Sequence, residues 1–145
     1  MLIRDAVPSD EPAWRGLWAA YVAFYEAEVA EAVTAKTWER LIHKQDGLMC
    51  RVAEADGAVC GFSLSVLHAG TWTLSPVCYL EDLFVAPERR GKGIGEALIR
   101  DLISTAQSQG WSRLYWHTRT SNAAARSVYD RFTVADDFVR YRLFF

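Results

Sequence analysis

Between Arg89 and Gly95 the chain reads Arg-Arg-Gly-Lys-Gly-Ile-Gly, three cations interleaved with three glycines. The chemistry of such a run is anion binding. Ala97, Leu98, Ile99, Leu102, Ile103 and Ala106 follow at helical spacing, so the backbone N–H groups of Gly91, Lys92, Gly93, Ile94 and Gly95 are expected at a first helical turn. N–H groups there have no partner within the helix and carry the positive end of its dipole. Glycine permits positive φ and close approach of a phosphate, and Arg90 and Lys92 add charge. Two familiar phosphate loops fit poorly. A P-loop requires Gly-Lys-Ser/Thr after four intervening residues, and a dinucleotide fingerprint requires Gly or Ala where Glu96 stands. The strand expected around Leu114 to Thr118 also ends without the acid that would bind a ribose hydroxyl.

A second pattern lies downstream, Asn122-Ala123-Ala124-Ala125-Arg126-Ser127-Val128-Tyr129. On a helix Ala125 and Tyr129 share a face, so a small side chain leaves room beside a phenol. Arg90-x-x-Gly93-x-Gly95 resembles the acyl-CoA pyrophosphate loop of the GNAT superfamily of N-acetyltransferases, and Asn122-x-x-Ala125-x-x-x-Tyr129 resembles its Asn-x-x-Ala-x-x-x-Tyr motif. The resemblance implies a fold, a mixed and mostly antiparallel α/β sheet of six to seven strands flanked by about four helices. It also implies a donor, acetyl-CoA. In its terms Asn122 meets the pantetheine arm, Tyr129 faces the thioester sulfur, and the strand at Leu83, Phe84 and Val85 pairs with the pantetheine through backbone N–H groups. Tyr79-Leu80-Glu81-Asp82-Leu83-Phe84-Val85 further resembles the spermidine/spermine and thialysine acetyltransferase branch, in which the glutamate matching Glu81 is a proposed base.

Acetyl transfer to an amine sets three demands. An alkylamine with a pKa of about 10 must lose a proton, the developing oxyanion needs a donor, and a thiolate of pKa about 8.5 gains from an acid as it leaves. Tyr129 is the candidate acid and Glu81 the candidate base, directly or through a water; His117 is an alternative base. On a regular strand Glu81 and Asp82 face opposite sides, and only a bulge would re-aim one of them. Asp82, Tyr25 and Trp72 are candidates for the acceptor side. There Tyr21-x-x-Phe24-Tyr25, followed by Glu26 and Glu28, joins acids to ring faces that suit a cationic amine.

The elements that would hold these residues follow from periodicity. Leu2 to Val7 reads as a strand, and Ser9 as the cap of a helix carrying Trp14, Leu17, Trp18, Tyr21, Phe24 and Tyr25. Thr34 or Thr37 is expected to cap a second helix around Trp38, Leu41 and Ile42. Met49 to Ala55 and Ala58 to Leu67 flank Asp56-Gly57, a hairpin signal. Strand character resumes near Trp72 and from Val77 to Val85, giving an antiparallel meander. Helix to Gly110, strand Arg113 to Thr118, helix Asn122 to Arg131 and a last strand Phe138 to Leu143 complete the pattern. The helical crossover between the strands near Leu80 and Tyr115 implies that they run parallel. The Gly-Phe usual after the family's tyrosine helix is absent, and Asp137-Phe138 is the nearest substitute.

Composition bounds the remainder. With 145 residues, 51% hydrophobic, one domain over 1–145 is expected. A net charge of −2 speaks against a general nucleic-acid binder. No apolar run approaches the roughly 20 residues of a membrane span, and Met1 to Asp5 lacks the features of a leader, so a cytoplasmic protein without a membrane partner is expected. Cys50, Cys60 and Cys78 read as buried reduced thiols, and His43, His68 and His117 lack metal-ligand spacing, so no metal is expected. The expected activity is acetyl transfer to a small primary amine, polyamine-like or amino-acid-like, by direct attack in a ternary complex. Peptide N-acetylation and acyl-CoA binding without turnover are the alternatives, and a homodimer is the family expectation.

Overall fold

The computed structural model describes all 145 residues. Strand β1 (Leu2–Asp5) leads through a 3-10 turn to α1 (Glu11–Phe24), followed by α2 (Glu31–Ile42), β2 (Leu48–Ala55), β3 (Ala58–His68), β4 (Val77–Val85), α3 (Ile94–Gln109), β5 (Arg113–Trp116) and α4 (Ala123–Tyr129). The sheet order is β1-β2-β3-β4-β5. The first four strands pair antiparallel, and β4 pairs with β5 in parallel across the α3 crossover. The architecture is the expected mixed α/β one, with five strands in place of six or seven.

Two of the expected strands do not form. Trp72 lies on the loop between β3 and β4, 94% exposed. Beyond Thr133 the chain joins no helix or strand and makes no backbone hydrogen bond, although Phe138 to Leu143 alternates like a strand. Alternation expresses a preference for extended backbone; a strand also needs a neighbour to satisfy its N–H and C=O groups. The helix caps also differ from expectation. Asp10 precedes α1, and its carboxylate holds Arg4 and the N–H of Val7. Thr34 lies inside α2, where its hydroxyl accepts the indole N–H of Trp18 at 3.1 Å. At the β2–β3 hairpin Asp56 and Gly57 both take positive φ, 54° and 74°, as the dipeptide predicts.

The core lies on both faces of the sheet. Trp14, Trp38 and Leu41 from α1 and α2 pack on Val52, Phe62, Leu64 and Phe84. On the other face α3 sets Ile94 and Leu98 on Ala53 and Cys60, and Ile99 and Leu102 on Leu80. All three cysteines are buried and unpaired; burial pushes the thiols of Cys50 and Cys78 up to about 12 and about 11. Cys78 is thus an inert core group.

A bulge in β4 breaks the two-residue alternation. Leu64 of β3 faces Asp82, but the next residue, Ser65, faces Leu80, which leaves Glu81 without a partner. The extra residue reverses the parity of the strand. Leu80 and Leu83 therefore both contribute to the α3 side, while Phe84 joins the α1 side and Asp82 meets Tyr21 of α1.

Candidate active site

The pairing of β4 with β5 ends at Leu80 and Trp116, so the remainder of β4 has no strand beside it on that edge. The N–H of Ala86 donates to Cys60 on β3 at 2.9 Å. By the alternation of an antiparallel ladder, the N–H groups of Leu83 and Val85 then point the other way, into the gap. The gap opens as a cleft of about 500 Å³ walled by β4, the glycine turn, the end of α1 and α4.

At one end of this cleft Gly91 and Gly93 take φ of 73° and 77°, and Ile94 begins α3. A Cβ at either glycine would meet nothing within 4 Å, so the backbone conformation, and not crowding, calls for glycine here. Gly91, Gly93, Ile94 and Gly95 line the cleft with Arg90, whose Nε donates to the carbonyl of Val85 at 3.0 Å. The guanidinium of Arg90 lies over the rings of Phe84 and Phe24, 5.2 and 5.8 Å from their centres. Lys92 is exposed at the turn and does not line the cleft. Of the three β4 residues anticipated at the cofactor, Leu83 and Val85 present backbone donors, and Phe84 lines the cleft while its ring also packs in the core.

Asn122 lines the same cleft, with its side chain already employed: Oδ1 accepts the N–H of Ala125 at 3.3 Å and Nδ2 donates to Thr118 at 3.1 Å. It caps α4 and thereby fixes the helix that presents Ala125 and Tyr129. The Tyr129 ring meets Trp116 edge-on at 5.5 Å, and burial raises the pKa of its hydroxyl, which is therefore protonated at neutral pH. Trp116 is therefore packing beneath the tyrosine. Glu96 joins Arg100 and Arg131, each at 2.8 Å, which ties the chain after α4 back to α3.

The two acids of β4 lie in different surroundings. Glu81, at the bulge, is exposed. Asp82 is largely buried and accepts the hydroxyl of Tyr21 at 2.6 Å; burial outweighs that bond and pushes its carboxyl up to about 6. Tyr21 and Tyr25 touch edge-on at 5.0 Å and both line the cleft. Trp72 does not join them, because its loop forms no ladder. His117 is also outside the cleft, with Nδ1 3.3 Å from the hydroxyl of Tyr79. Glu26 and Glu28 lie beyond the end of α1, exposed. The Tyr21–Asp82 bond was not foreseeable, since 61 residues separate the partners; the one available signal was the four-residue spacing that puts Tyr21 on the same helical face as Tyr25.

A mixed sheet that parts beside a glycine-led helix, with a protonated tyrosine across the gap, defines an acyl-transfer fold. The chain belongs to the acetyltransferase (GNAT) family, whose model matches residues 12–133. It is an N-acetyltransferase of the kind that uses acetyl-CoA. Among its relatives, the D-amino-acid N-acetyltransferase of Saccharomyces cerevisiae is 30% identical over 145 residues, spanning 98% of this chain and 89% of that protein. The thialysine N-epsilon-acetyltransferase of Bos taurus is 30% identical over 128 residues, 88% of this chain and 65% of that one. In fold, the chain is similar to the ribosomal-protein-alanine N-acetyltransferase of Brucella melitensis (TM-score 0.81, 24% identity, all of both chains). It is also similar to an aminoglycoside N-acetyltransferase in complex with CoA (TM-score 0.73, 23% identity, 98% of both chains). No helix is long and apolar enough to cross a membrane.

Proposed function

We propose that this protein, as one domain over 1–145, acetylates the primary amine of a small molecule by direct attack within a ternary complex. The observation that supports this best is the cleft itself, which has donors suited to an acyl-CoA along one wall and, at Tyr21 and Tyr25, a tyrosine pair behind which Asp82 accepts the Tyr21 hydroxyl. The relatives named for D-amino acids and thialysine act on small amines, which favours that substrate class over peptides.

Acetyl-CoA, when bound, supplies an activated acetyl thioester. Gly91, Gly93, Ile94 and Gly95 would hold its pyrophosphate through N–H groups, with charge from Arg90 and, at the rim, Lys92. Leu83 and Val85 would donate backbone N–H groups to the pantetheine and thioester end, beside Phe84 and the capping Asn122. Tyr129 holds a proton for the departing sulfur. Glu81 takes the proton of the amine through a water, and Asp82, with Tyr25, receives the ammonium. A second reading makes Asp82 itself the base, because a carboxyl raised to about 6 is better matched to proton transfer near neutral pH. The pH profile separates the two. A limb of kcat/KM near pH 6 that disappears in Asp82→Asn and persists in Glu81→Gln assigns the base to Asp82; the reverse assigns it to Glu81.

The homodimer is part of the same proposal. It is supported by the apolar tail after Thr133, with Phe138, Tyr141, Phe144 and Phe145 all more than 80% exposed, and by the outer edge of β5, which carries no strand. A second copy offers both a matching edge and a matching tail. Buried thiols and the need for acetyl-CoA favour a cytoplasmic setting.

The decisive assay is thiol release from acetyl-CoA with a panel of amino acids, polyamines and peptides. Turnover confined to small amines is the expected result. Turnover of peptides alone would replace the acceptor class, and tight acetyl-CoA binding without turnover on any amine would make the protein a binding module.

A further inference from the structure

Several arginines around the cleft are already engaged. Arg100 and Arg131 share Glu96, Arg126 donates to the carbonyl of Thr120, and Arg90 donates to that of Val85. Arg119, beside Tyr25, is not so engaged. Its guanidinium lies 5.5 Å from the centre of the Tyr25 ring and takes part in no hydrogen bond or ion pair. It stands on the segment between β5 and α4, where the carbonyl of Arg119 accepts the N–H of Asn122 at 3.0 Å. The turn that caps α4 thus also places this side chain against Tyr25, next to the residues that line the cleft.

Charge there runs from acid to base. Asp82 is bonded to Tyr21, Tyr21 meets Tyr25 edge-on, and Arg119 covers Tyr25. A ligand lying across the two tyrosines would meet a carboxylate at one side and an unpaired guanidinium at the other. A polyamine would bring its second ammonium toward a like charge. An amino acid would bring a carboxylate, which the planar guanidinium fork accepts with two parallel hydrogen bonds.

We propose that the acceptor is an amino acid, whose carboxylate is received by Arg119 while the acids at Glu81 and Asp82 receive its ammonium. The proposal rests on the acetyltransferase reading above and adds to it the group that selects the substrate. A bidentate charge-assisted pair of this kind corresponds to roughly a tenfold to hundredfold preference.

The test compares free amino acids with their carboxamides, for instance both enantiomers of alanine and of lysine, in the native protein and in Arg119→Gln and Arg119→Lys. The carboxamide removes the negative charge and keeps the shape, and its lower amine basicity cancels between variants. The expected result is that the native kcat/KM ratio of acid to amide falls about tenfold to a hundredfold in Arg119→Gln, mainly through KM, and is partly restored in Arg119→Lys. Calorimetric titration of the same ligands into the CoA complex should show the same loss without turnover. An equal loss for acid and amide would make Arg119 a mere ring-stacking group and overturn the proposal. So would native turnover that favours carboxamides or polyamines, and in that case the acetyltransferase reading stands. Absence of thiol release with every acceptor would remove both.

Discussion

At the scale of single residues, two side chains carry separable predictions. Tyr129 has its pKa raised by burial and packs on Trp116, so loss of its hydroxyl removes a proton donor and little packing. Tyr129→Phe is expected to lower kcat by about 10²-fold to 10⁴-fold, the usual range for a positioned acid, with acetyl-CoA affinity nearly unchanged by calorimetry. Asp82 carries the opposite kind of cost. Its carboxyl rises from an ordinary 3.8 to about 6 in the fold, so the native state binds the proton more tightly than the unfolded chain. Stability is therefore full below about pH 4 as far as this group is concerned, and is lost as pH rises through 6. Two pKa units correspond to about 3 kcal/mol at most. Asp82→Asn, which keeps an acceptor for Tyr21, should be the more stable protein at pH 8 and should lose the advantage at pH 4, as read by urea melts. A variant that gains stability while losing turnover would mark Asp82 as a group kept for function. The sequence shows that Glu81 and Asp82 are acids on a strand, but their different burial comes from an unpaired residue in β4, which no local pattern announces.

At the scale of elements, the glycine turn and the opened sheet edge were legible and the chain's last segment was not. Arg89 to Gly95 followed by apolar residues at helical spacing specifies its own geometry, because left-handed backbone at Gly91 and Gly93 is a local requirement. The Asp56-Gly57 hairpin is likewise local. Pairing of the tail from Phe138 to Leu143 depends on which edge is free elsewhere, and sequence alternation holds no such information. The start of α2 lies ahead of the expected threonine caps for a related reason: Thr34 meets Trp18 of another helix and leaves Ala30 at the N-cap. Gly93→Ala tests the turn. Holding alanine at a φ of 77° costs about 1–2 kcal/mol, so a urea midpoint lowered accordingly is expected, together with weaker acetyl-CoA binding by calorimetry.

At the scale of the whole molecule, the unpaired tail and the outer edge of β5 predict the state in solution. Removal of residues 134–145 should convert a dimer to a monomer in light scattering while the circular dichroism of the remaining elements is preserved; a truncated chain that is still dimeric would locate the dimer contact elsewhere. The same parting of β4 from β5 that admits a thioester also leaves part of the sheet without its complement of strands. The donor substrate is thus in effect a removable structural piece, and mass action ties the melting temperature to its concentration. At a hundredfold excess over its dissociation constant acetyl-CoA should add about 2.7 kcal/mol, visible as a rise in Tm of several degrees. In a starved cell, where the thioester runs low, this protein would be the more easily unfolded and degraded, so that its abundance would follow the supply of acetyl groups it spends.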